Sequence, residues 1–170
     1  YGLLMLIKKN NIILKNKKIV VLGNGGVAKT VIKTLLDNYK EQIYIWGRNS
    51  KKVNNIIALF DNIIYLRRVQ KLKTVLNEKY IVFNCISLNI DELSINNILN
   101  SLPLQNIELM VDINYVKTKF NEKLIEKKYN VILGIDMLLY QALKSLDIWY
   151  NQSYSDKINF NELKKNIIHL

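Results

Sequence analysis

A short β-branched run, Ile19-Val20-Val21-Leu22, meets a glycine cluster at Gly23-Asn24-Gly25-Gly26, and a helical pattern starts at once with Val27. This junction constrains the chain more than any other feature. An apolar run without polar alternation reads as a strand buried on both faces, as in parallel sheets. The stretch from Gly23 to Ala28 fits G-x-G-x-x-A, which between a strand and a helix is the dinucleotide-binding fingerprint. Gly23 makes the tight turn, Gly25 lets the backbone approach a pyrophosphate, and Ala28 permits close helix–strand packing. The helix start aims free N–H groups and a positive dipole end at an anion. A sharp turn without a ligand does not account for three of the chain's six glycines falling within four positions.

The rest of the pattern extends this unit. Further strands are expected at Ile43–Trp46, Ile63–Leu66, Tyr80–Phe83, Leu109–Val111 and Val131–Leu133. Helices are expected over Val27–Asn38, from a Ser50 cap to about Phe60, over Asn121–Lys128, from an Asp136 cap to about Tyr150, and over Asn159–His169. Alternating strands and helices predict an α/β, Rossmann-like, doubly wound and mostly parallel sheet with flanking helices. Ligands in such sheets bind outside the carboxyl ends of the strands. The residues to watch therefore follow Leu22, Trp46, Phe83, Val111 and Leu133.

The chain has 170 residues, suited to one domain. The opening Tyr1-Gly2-Leu3-Leu4-Met5-Leu6-Ile7 is apolar but far short of a membrane span and lacks signal-peptide features. It is expected as a buried helix in a connecting segment, residues 1–16, with residues 151–170 as a helical tail. Because the first residue is Tyr1 rather than Met, either processing has removed something or the segment begins inside a longer protein, and the opening helix fits a connector to a missing upstream domain. Phe160, Leu163 and Ile167 form an apolar stripe that packs either on this chain or on another domain.

The net charge of +11 raises nucleic-acid binding. Composition argues otherwise. There are 25 Ile, 23 Asn and 22 Lys against 3 Arg and 3 Ala, the bias of A/T-rich codons, and the lysines are scattered. No nucleic-acid or membrane partner is expected. Cys85 alone excludes a disulfide framework and a multi-cysteine zinc site, and suits a reducing, cytoplasmic compartment. No metal is expected, and a homodimer stays open.

The second strand decides which dinucleotide. NAD sites place an Asp or Glu there, whereas this chain reads Trp46-Gly47-Arg48-Asn49-Ser50-Lys51-Lys52. Arg48 offers a planar guanidinium for a phosphate. Lys51 and Lys52 oppose the next helix's dipole unless an anion binds there. The expected cofactor is NADP(H), held through its 2′-phosphate.

Several motifs then fall in order. Lys18 to Ala28 resembles the NADP domain of shikimate dehydrogenases, whose loop reads G-A-G-G-A. Gly47 to Lys52 resembles that family's N-R-T-x-x-[RK], and Asn84-Cys85-Ile86-Ser87 resembles N-A-T-P/S. Asp112-Ile113-Asn114-Tyr115 resembles D-x-x-Y. Gly134-Ile135-Asp136-Met137-Leu138-Leu139-Tyr140-Gln141-Ala142 resembles G-x-x-M-L-x-x-Q-A, and Ser145 and Trp149 continue it. The resemblance implies a cofactor site of Gly23, Asn24, Gly25, Gly26 and Val27 on the pyrophosphate, and Arg48, Asn49 and Lys52 on the 2′-phosphate. Asn84 belongs to the same site, and Ile113, Gly134 and Met137 line the nicotinamide. Tyr115 and Gln141 would reach the substrate, shikimate or 3-dehydroshikimate, shared with the upstream domain. A quinate-type dehydrogenase and a non-catalytic nucleotide-binding module are the alternatives.

Departures from the family pattern are expected to matter. Asn24 replaces Ala, Gly47 replaces the Asn before Arg, which should loosen the phosphate grip, Ile86 replaces Thr, and Lys117 stands where Pro is frequent. In the family a Lys–Asp pair in the upstream domain acts on the substrate hydroxyl, so no residue here is given a catalytic role. Asp112 is expected to be structural, Cys85 a core residue and His169 solvated.

Overall fold

The computed structural model describes residues 1–66, 76–87 and 90–168. Six strands form one all-parallel sheet: β1 (Lys18–Leu22), β2 (Ile43–Trp46), β3 (Ile63–Tyr65), β4 (Tyr80–Asn84), β5 (Ile107–Asp112) and β6 (Val131–Leu133). Their spatial order is β3-β2-β1-β4-β5-β6. The chain winds outward from β1 in one direction, returns, and continues from β4 in the other. The switch point therefore lies between β1 and β4, where Leu22 pairs with Asn84. β1 and β4 are buried almost throughout because helices cover both faces.

The described helices are α1 (Gly2–Lys9), α2 (Gly26–Tyr39), α3 (Ser50–Ile57), α4 (Glu92–Ser101), α5 (Lys119–Glu126), α6 (Ile135–Tyr150), α7 (Tyr154–Lys157) and α8 (Phe160–Ile168). One core layer joins Leu6 of α1 and Val31 and Leu35 of α2 to Ile19 and Val21 of β1. The opposite layer joins Val20 and Leu22 to Ile98 of α4 and Leu124 of α5. Strand alternation thus sends neighbouring β1 residues into different cores. No helix among the described residues is long and apolar enough to cross a membrane.

Three local expectations change, and one helix is new. Helix α1 ends at Lys9, and Asn11 then turns the chain with φ 51°. Asn49, not Ser50, caps α3: its extended backbone lets the side chain accept from Lys52 N at 3.0 Å, and the helix ends at Ile57. Asp136 is not the cap of α6. Gly134 holds that place, and the buried Asp136 instead pairs with Lys164 of α8 at 2.5 Å. Helix α4 was not anticipated, because its isoleucines and leucines are diluted by asparagines; Asp91 caps it by accepting from Ser94 N.

The tail folds back on its own chain. Phe160 stacks on Tyr140 with ring centroids 4.3 Å apart, and Leu163 and Ile167 are half-buried. His169 lies outside the described residues.

Candidate functional site

The carboxyl ends of the strands converge on two adjoining hollows. The larger, about 660 Å³, lies between the start of α2, the loop after β5 and the start of α6. Gly26, Val27, Ile113, Tyr115, Gly134, Met137 and Gln141 all line it. The smaller, about 160 Å³, is lined by Gly23, Asn24, Gly25 and Arg48, with Trp46 beneath. Cys85 borders both, so they share a wall at the switch point.

The glycine loop sits where the two hollows meet. Gly23 has φ +115°, and a Cβ there would lie 2.7 Å from the Cys85 carbonyl oxygen. Only glycine takes that backbone turn without strain. Its N–H donates to the Trp46 carbonyl at 2.8 Å, while Cys85 N–H donates to the Leu22 carbonyl at 2.7 Å. Gly25 and Gly26 differ: a Cβ on either would meet nothing within 4 Å. Open space therefore adjoins bare backbone at the start of the 14-residue α2, whose N-cap makes no side-chain bond. Such a helix start presents unsatisfied N–H groups to an anion. A pyrophosphate fits these donors.

The basic turn borders the smaller hollow. Arg48 is exposed, and no carboxylate of the described residues pairs with it within 4 Å. Asp91 is close enough to feel it: Ser94 hydrogen bonds hold the Asp91 carboxyl below its usual range, and Arg48 adds to the effect. This carboxylate is distant in sequence, so the β2 turn gave no sign of it. Asn49 and Lys52 line neither hollow; their contact is the α3 cap.

Asn84 and Asp112 lie below the floor, 1% and 0% exposed. Asn84 Nδ2 donates to Asp112 Oδ2 at 3.1 Å, and Asn121 Nδ2 donates to the same oxygen at 3.2 Å. Asn114 donates to Oδ1 from its backbone N–H at 3.0 Å and its side chain at 2.8 Å. Burial pushes the Asp112 carboxyl above its usual range, while these amide donors pull it down. The hub ties the β4 end to the β5 loop and to α5. It also reaches the cleft wall, since Asn114 Nδ2 donates to the Ile86 carbonyl and Gly134 N–H donates to the Asn114 carbonyl. Asp112 thus holds Ile113 and Tyr115 in place from beneath. Burial, with Asp112 nearby, raises the Cys85 thiol well above its ordinary value, which suits an inert wall residue.

The larger hollow is lined by aliphatic groups, threonines, Tyr1, Tyr115, Asn114, Gln141 and Cys85. None of these described lining residues is an Asp, Glu, Lys, Arg or His. Among the described residues no cluster of His, Cys, Asp and Glu could hold a metal ion. Sequence reading missed the part played here by Thr30, Thr34 and Leu3, which the α1–α2 packing brings to the wall.

Comparisons with known proteins agree on one family. The sequence model described as Shikimate / quinate 5-dehydrogenase matches residues 5–131. The shikimate dehydrogenase (NADP(+)) of Nitrosopumilus maritimus is 26% identical over 172 residues, covering 98% of this chain and 61% of that protein. The enzyme of the same name from Clostridium beijerinckii is 29% identical over 160 residues, covering 93% of this chain and 57% of that protein. The crystal structure of shikimate dehydrogenase from Aquifex aeolicus shares the fold, with a TM-score of 0.75 at 22% identity over 98% of this chain and 59% of that one. The chain thus spans about three-fifths of the length of these relatives.

Proposed function

The chain belongs to the shikimate / quinate 5-dehydrogenase family, and on that premise we propose that it is the NADP(H)-binding part of a shikimate dehydrogenase. That enzyme would reversibly reduce 3-dehydroshikimate to shikimate. The observation that carries this reading is the larger hollow: Tyr115 and Gln141, able to bond a hydroxy acid, share it with the open helix start at Gly26 and Val27. The relatives named for NADP(+) support the choice of cofactor.

Bound NADPH would supply the hydride. The chain's own residues bind and orient. Backbone donors from Gly25 to Val27 take the pyrophosphate, and Arg48 takes the 2′-phosphate. Ile113, Gly134 and Met137 form an apolar wall for the nicotinamide, which excludes water from the transfer. Tyr115 and Gln141 hold the substrate's polar groups. With no Asp, Glu, Lys, Arg or His side chain among the described lining residues, the proton that accompanies the hydride is handled by residues from outside this set. A single half-buried cysteine suits a reducing compartment, and we assign the protein to the cytoplasm.

Isothermal titration tests the reading. The chain is expected to bind NADPH more tightly than NADH, and Arg48→Ala to lose NADPH affinity by about tenfold or more, the scale of a charge-assisted phosphate contact. NADH affinity is expected to stay within about twofold, below the worth of one neutral hydrogen bond. Equal losses for both dinucleotides would refute the 2′-phosphate assignment.

A further inference from the structure

Among the described residues no carboxylate pairs with the Arg48 tip, but its base is held. Asn24, in the middle of the glycine loop, reaches across to the β2 turn and touches the residues on both sides of Arg48. Its Nδ2 donates to the Asn49 carbonyl at 3.0 Å. Its side chain also lies flat on Gly47: a Cβ there would sit 2.8 Å from Asn24 Nδ2 and 2.9 Å from its Cβ and Cγ. Real Cβ atoms do not approach that closely, so any side chain at position 47 would displace Asn24 or the turn. The two positions are matched. The carboxamide at 24 fits because position 47 is bare.

The turn is braced elsewhere as well. Tyr65 Oη donates to the Gly47 carbonyl at 3.4 Å, and Asn49 continues the contact into the start of α3 by capping Lys52 N. Asn24 joins this turn to the pyrophosphate loop through a side chain, beside the backbone bond from Gly23 N–H to the Trp46 carbonyl. We infer that Asn24 is a positioning residue for cofactor choice: a neutral clasp that sets where the Arg48 guanidinium meets the 2′-phosphate, by fixing the backbone at Gly47 and Asn49. The inference rests on the NADP(H) reading above. It also accounts for both departures at this site, since Asn24 and Gly47 form one contact. They need not loosen the phosphate grip, as Gly47 alone had suggested.

A double-mutant cycle on the chain, read by isothermal titration of NADPH and NADH, tests this. Asn24→Ala is expected to lower the NADPH-over-NADH preference by about 3- to 10-fold, the worth of one hydrogen bond. In the Arg48→Ala background it is expected to change that preference by less than about twofold, because the clasp acts only through the arginine. Gly47→Ala disturbs the same contact from the other side and should lower the preference similarly. A thermal melt on each variant verifies folding. Should Asn24→Ala weaken NADPH and NADH equally, or its effect add in full to that of Arg48→Ala, the clasp has no part in selectivity and the inference fails alone. If the intact chain bound neither dinucleotide, or Arg48→Ala left the preference unchanged, the cofactor reading and this inference would fall together.

Discussion

Replacing Asp112 by Ala removes the acceptor at the centre of the buried hub and should destabilise the fold by about 2–4 kcal/mol. The arithmetic comes from its four donors. Asn114 Nδ2 keeps the Ile86 carbonyl at 3.0 Å, and Asn121 Nδ2 keeps the Val116 carbonyl at 3.4 Å. Asn84 Nδ2 and the Asn114 backbone N–H are stranded. Each stranded buried donor costs about 1–3 kcal/mol. Relief of the buried carboxylate offsets part of that sum, because burial pushes this carboxyl up. Urea unfolding at neutral pH measures the loss, and a melt should fall by about 5–15 °C for a chain this size.

The pH dependence has a definite sign. A folded-state pKa raised above the ordinary 3.8 means that ionising Asp112 costs folding free energy. That cost is absent below pH 3.8, grows as pH rises through the folded-state value, and then levels. The stability gap between the native chain and Asp112→Ala should therefore be widest near pH 4 and narrow as pH rises. A loss below about 1 kcal/mol, within reach of one ordinary hydrogen bond, would refute the hub as a structural anchor. A gap that widens with pH would refute the dominance of burial.

Two further outcomes follow from the same geometry. Gly23→Ala must place a Cβ 2.7 Å from the Cys85 carbonyl at φ +115°, and should cost about 1–3 kcal/mol in urea unfolding while weakening both dinucleotides. Asp91→Asn keeps an oxygen for the α4 cap but removes the carboxylate that Arg48 feels, so NADPH affinity should rise at low salt and the gain should vanish at about 1 M salt, where exposed charges are screened.

Much of the site could be read along the chain because its signals are local. The buried strand at Ile19–Leu22, the glycines after it and the start of α2 are contiguous, so turn geometry and helix polarity follow from residue type alone. The same holds for Arg48 in place of an acidic residue after β2. Parallel order followed from the alternation of strand and helix, since a parallel neighbour requires a crossover.

The structure supplied what depends on side chains meeting from distant segments. Asp136 looks like a cap in sequence, yet Lys164, 28 positions later, draws it into an ion pair. Asp112 gathers Asn84 and Asn121, and the Arg48 charge is felt by Asp91, a residue far along the chain. Gly47 looks like a loss until the side chain of Asn24 is seen lying on it. Local propensity and periodicity specify which elements form and which loops carry the chemistry. Which polar groups satisfy one another is decided only when packing brings their strand ends within hydrogen-bond range, and no one-dimensional pattern encodes that distance.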